Sequence, residues 1–123
     1  MNKMIEYFDE YVKYVSQLCK KQEDYTKEKV AKHNKAVKSL LILKKQIKAD
    51  KIIANKIYDL LLSYDDTNVQ QSAATDCLSL NIHIDKSLQI LKNVSKNGDT
   101  MSSMSAKRTL LIWEGRLNPN SPF

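Results

Sequence analysis

The first 97 residues of this 123-residue chain contain neither glycine nor proline. The two glycines are Gly98 and Gly115, and both prolines, Pro119 and Pro122, stand within the last five positions. Proline inside a helix removes a hydrogen bond and clashes with the preceding turn, and glycine raises the entropic cost of ordering it, so a chain without either has nothing to interrupt helices. Strands separated by hairpin turns are excluded on the same ground. Asn97-Gly98, the one hairpin-like dipeptide, follows a helical rather than an alternating pattern. The expected fold class is all-α, with about six helices.

The apolar residues supply the boundaries. Ile5, Phe8, Val12, Val15 and Leu18 recur at three and four residues, which predicts a first helix over about Asn2 to Lys21 with Tyr7, Tyr11 and Tyr14 flanking its buried stripe. A polar connection, Gln22 to Tyr25, precedes Thr26, a cap for a second helix reaching about Lys48. Val30, Val37, Leu40, Leu41 and Ile47 form its expected buried face, with His33 at the border. Asp50 is placed to cap a third helix, Lys51 to Tyr64, in which Ile53, Ile57, Leu60, Leu61 and Tyr64 carry the strongest amphipathic signal. Asp66 or Thr67 caps a fourth, lined by Val69, Ala73, Cys77 and Leu80, where Ala73 and Ala74 permit close packing.

Asn81 to Ile84 break the pattern, and Asp85 is the expected cap of a fifth helix that buries Leu88, Leu91 and Val94 and ends at Asn97-Gly98. The final helix is read from Ser102 or Ser103 as cap through Ala106, Leu110, Trp113 and Leu117, with Gly115 supplying its left-handed end. Trp113, the only tryptophan, is expected to anchor the core. Short connections pair the third helix with the fourth and the fifth with the sixth as antiparallel hairpins that stack on one another. With 42% hydrophobic residues and a length at which a domain buries roughly 65% of its unfolded surface, residues 1–117 are expected to form a single helical domain and 118–123 a flexible tail.

Charge is concentrated. Residues 27 to 48 hold eight lysines against one glutamate, more than the chain's whole excess of +6. Such a face suits nucleic acid or an acidic protein surface. It contains no arginine, aromatic residue or glycine, the groups that usually complete a phosphate-binding surface. Glu6, Asp9 and Glu10 near the start of the first helix are favoured by its dipole without any catalytic role.

Chemistry of other kinds has no motif to rest on. His33 and His83 are far apart, Cys19 and Cys77 have no CxxC partner, and HExxH, GxSxG and GxxxxGK are absent. Neither an enzyme nor a metal or organic cofactor is expected. Two isolated thiols in a lysine-rich chain fit a reducing cytoplasm. An acidic N-terminal segment and short apolar runs predict neither a signal peptide nor a membrane span.

Tyr64-Asp65-Asp66-Thr67-Asn68-Val69-Gln70-Gln71-Ser72-Ala73-Ala74, followed later by Ser105-Ala106-Lys107-Arg108-Thr109-Leu110-Leu111-Ile112-Trp113-Glu114-Gly115-Arg116-Leu117, resembles a family of small bacterial all-helical domains of unknown function. In that family an acid-x-x-Val turn leads into a helix with paired alanines, and the chain closes on Ser-Ala-x-x-Thr-Leu-x-x-Trp-x-x-Gly-x-Leu. Here glycine follows tryptophan after one residue instead of two. The resemblance implies HEAT-like helix pairs and no catalytic residues. It also suggests a protein-binding module, most concretely an immunity protein that neutralises a cognate toxin. The expected contact residues are then Glu6, Asp9, Glu10, Asp65 and Asp66, or the lysine face through Lys32, Lys35 and Lys38. Nucleic-acid binding through that same lysine-rich helix is the alternative.

Overall fold

The computed structural model describes residues 2–18, 27–96 and 100–115. Among these, six α-helices and no strands occur: α1 (Asn2–Leu18), α2 (Lys27–Lys48), α3 (Lys51–Leu62), α4 (Thr67–Leu80), α5 (Ile84–Ser95) and α6 (Met101–Trp113). The Gln22–Tyr25 connection, the Thr26 cap, the Asn97-Gly98 stop and the C-terminal tail lie outside the described residues. The helices fall into two compact units, Met1–Leu61 and Leu62–Phe123.

In the first unit α1 packs against α2. Its core is built by Tyr11 and Val15 from α1, Ala36, Leu40, Leu43 and Ile47 from α2, and Ala54, Ile57, Tyr58 and Leu61 from α3. The α2 set keeps strict four-three-four spacing, which holds a row of side chains on one line of the helix. Expectations fail on each of these three helices. Ile5 is 60% exposed while Tyr11, expected on the flank, is fully buried; the stripe of α1 is rotated by about one residue. Tyr11 brings more apolar area than Ile5, and its ring meets the Tyr58 ring edge-on, a geometry that favours aromatic burial. On α2, Val30 and Leu41 are 39% and 55% exposed, and Ala36 and Leu43 take their place. Leu60 is likewise half-exposed and Tyr64 lies beyond the end of α3.

Asp50 caps α3 as expected: its carboxylate accepts from the backbone N–H groups of Ile52 at 3.0 Å and Ile53 at 3.2 Å. Those are donors without intrahelical partners.

The second unit packs α4 on α5, α5 on α6, and α6 back on α4. Asp66 begins α4, accepting from Asn68 N at 2.8 Å and Val69 N at 3.2 Å. Val69, Ala73, Ala74 and Cys77 are then completely buried, the close approach for which two alanines leave room. Asn81 ends α4 in the left-handed region at φ 58°. The Ile82 N–H reaches back to the Cys77 carbonyl at 3.0 Å, the bond of a Schellman end that spans more residues, with asparagine where glycine is usual.

At α5 the expected Asp85 cap is replaced. Helical residues start at Ile84, so Asp85 lies in the first turn, and His83 occupies the cap position at φ 46° with no side-chain cap bond. Leu91 and Val94 are buried and Leu88 half-buried. α6 starts earlier than expected, because Thr100 rather than Ser102 or Ser103 accepts the capping bond, from Ser103 N at 3.0 Å. Ser103 is instead buried and donates its hydroxyl to the Ser95 carbonyl at 3.1 Å, tying α6 to the end of α5. Gly115 takes the left-handed conformation at φ +75°, as its place after the helix predicts. No helix of the described residues is long and apolar enough to cross a membrane.

Candidate binding surfaces

Trp113 does not anchor the core. It is 38% exposed and lies near the end of a groove of about 260 Å³ between α4 and α6, lined by Thr75, Leu78 and Ser79 on one side and Thr109, Ile112 and Trp113 on the other. Hydrogen bonds between and within α4 and α6 shape this opening. Gln71 Nε2 donates to the Ser102 carbonyl at 3.0 Å, joining α4 to the first turn of α6. Thr75 and Thr109 each turn their hydroxyl back to the carbonyl four residues earlier, at 3.0 Å in both cases. Satisfied in this way, the two threonines present methyl groups to the groove rather than a hydroxyl in need of a partner. Only Ser103 and Ala106 of α6 are buried, so Ile112 and Trp113 remain on the wall of the groove.

A second surface lies on α2. Lys27, Lys32, Lys35, Lys38, Lys45 and Lys48 are exposed, and Val30, Leu41 and Ile42 are exposed among them. Lys44 turns toward the core side, its Nζ 5.8 Å from the centre of the Tyr11 ring. His33, expected at the border of the apolar face, is exposed.

The acidic candidates divide between the two units. Glu6 and Asp9 are exposed on α1 and Glu10 is half-buried there, whereas Asp65 is exposed before α4. Asp66 is committed to capping α4. Among the described residues no group of three or more His, Cys, Asp or Glu side chains converges to hold a metal ion. Cys77 is completely buried, and burial pushes its thiol pKa up to about 12; a contact with Ser87 acts the other way and the Asp76 charge adds to the rise. The Ser87 hydroxyl is itself fully buried. A thiol protonated to this degree is a packing group and a poor nucleophile.

Sequence reasoning found the lysine face and missed the groove. Thr75, Leu78 and Ser79 belong to no motif, and their convergence with Thr109 needs α4 and α6 to be adjacent, which no local pattern encodes. No family model matches this sequence, and no curated protein or solved structure is significantly similar to it.

Proposed function

We propose that this chain is a non-enzymatic protein-binding module. The observation that carries the reading is the place of Trp113, the single tryptophan, on the wall of an apolar groove instead of in the core. A large amphipathic ring beside a concave apolar surface is the kind of anchor around which interface energy concentrates. The finer reading is a bacterial, cytoplasmic immunity protein that covers the active surface of a cognate toxin. It is supported by the small all-helical fold and by the uneven distribution of charge along the chain.

The test is capture from the native host after cross-linking, with tagged wild type and Trp113→Ala compared by quantitative mass spectrometry. One protein retained by wild type and lost by the variant is the expected result, and its toxicity to cells should be relieved by co-expressing this chain. A wild-type protein that retains no partner above the background of a tag-only control sinks the reading. The nucleic-acid alternative rests on the exposed lysines of α2. Absence of DNA or RNA binding in a low-salt anisotropy titration removes it, because phosphate contacts are strongest there.

A further inference from the structure

We infer that the outer face of α2 docks an acidic surface of a protein partner, one that carries a row of Asp or Glu side chains with aliphatic residues on either side. The inference rests on the protein-binding reading and names the chemistry of what is bound. At about 100° and about 1.5 Å per residue, Lys27, Lys38 and Lys45 fall within about 20° of one another and form a spine about 27 Å long. All three are exposed. Leu41 and Ile42 stand about 50° to either side of that spine, 55% and 59% exposed. Val30 and the half-buried Val37 extend the Leu41 shoulder toward the start of the helix.

This second apolar set is separate from the buried row Ala36, Leu40, Leu43 and Ile47 and lies on the solvent side of the helix. Lysine on the crest with aliphatic residues on both shoulders asks for a complementary surface of the same cross-section. Carboxylates meet the spine and apolar side chains meet the shoulders, giving charge complementarity with some apolar burial.

Other occupants fit less well. A phosphodiester backbone would satisfy the lysines and leave Leu41 and Ile42 against charge, and α2 has neither arginine nor an aromatic residue to read a nucleotide. A bilayer reached by both shoulders would drive the lysine spine deepest, the reverse of an interfacial helix. A second copy related by two-fold symmetry would set one lysine spine against another.

The experiment measures binding of four probes by fluorescence anisotropy or flotation at two salt concentrations. They are a helical peptide with a glutamate row between leucines, its Glu→Gln counterpart, a DNA duplex and phosphatidylserine vesicles. The proteins are wild type, Lys27→Glu/Lys38→Glu/Lys45→Glu, the milder Lys→Gln triple variant, and Leu41→Ser/Ile42→Ser. All substituted positions are exposed, and circular dichroism melting checks that each variant folds. The expected result is binding of the glutamate peptide alone, weakened at least about tenfold by the charge reversals and by the double serine variant.

No binding of the glutamate peptide at low salt overturns the inference. So does binding indifferent to Leu41→Ser/Ile42→Ser, or tighter binding of DNA or vesicles. The broader reading is judged separately by the cross-linked native partner. If the charge-reversed variant retains that partner as well as wild type does, this docking face is wrong while protein binding stands. If wild type retains none, protein binding itself fails.

Discussion

The rings of Tyr11 and Tyr58 meet edge-to-face, 6.0 Å between centroids and 86° between planes, and both are completely buried. This contact joins α1 to α3 across 47 residues of sequence and fixes which side of α1 faces inward. Tyr58→Ala should therefore cost about 3–5 kcal/mol, as large-to-small aromatic changes in cores do. Ile5→Ala, at a 60% exposed position, should cost less than about 1 kcal/mol. Urea denaturation of the two variants checks the contrast, and equal losses would mean that the stripe is centred on Ile5 after all.

Trp113 gives the opposite expectation for stability. With 38% of its surface exposed, Trp113→Ala should destabilise by about 1–2 kcal/mol, below the range for a fully buried tryptophan. Its larger effect should fall on partner binding, with a loss of about 2 kcal/mol or more, roughly thirtyfold in Kd. Thermal melting measures the first quantity and titration calorimetry with the captured partner the second. A large fall in Tm with affinity unchanged would return Trp113 to a purely structural role.

Helix ends were legible wherever the deciding bond is local. Asp50 and Asp66 each accept from N–H groups two and three residues ahead, and Gly115 sits at the position where a left-handed residue is needed. Such spacing is visible in a string of letters. Asp66→Ala and Asp50→Ala should each lower stability by about 1 kcal/mol, whereas Asp65→Ala, one residue from the cap, should change it by less than about 0.5 kcal/mol. Chemical denaturation midpoints compare the three.

Cys77 predicts a response to alkali. Its thiol has an ordinary pKa of 9.0 and one of about 12 when folded, chiefly because burial disfavours the thiolate. Between those values the unfolded chain releases a proton that the native state keeps, so ionisation favours unfolding. The stabilising contribution is intact below pH 9.0 and is lost as pH rises toward about 12. In a Cys19→Ser background, stability should fall more steeply across this window with Cys77 than with Cys77→Ala. Parallel profiles would show the thiol ionising as freely in the native state as in the unfolded one. Native protein should also react slowly with a thiol reagent until denaturant is added.

The starts of α5 and α6 escaped a local reading. Asp85, Ser102 and Ser103 are good capping residues, yet His83 and Thr100 hold the cap positions. Ser103 is drawn inward by the Ser95 carbonyl eight residues away. When a serine can either cap a helix or join two of them, the packing of those helices chooses, and the cap moves to the next residue able to serve.

By itself the sequence determined that this chain is helical and where most helices lie. A stretch of 97 residues without glycine or proline leaves the backbone little alternative, and propensity and capping act within a few residues. Only the tertiary structure decided which faces of α1 and α2 are inside. α2 carries two apolar rows, Ala36–Leu40–Leu43–Ile47 and Val30–Val37–Leu41, and periodicity gives each a plausible claim to the core. The packing of α1 on α2 goes with burial of the first row and exposure of Val30 and Leu41 in the second, because burial depends on the neighbour that supplies the opposite surface. Trp113 follows the same rule: its helical spacing suited a core anchor, but the approach of α6 to α4 left it on the wall of a groove.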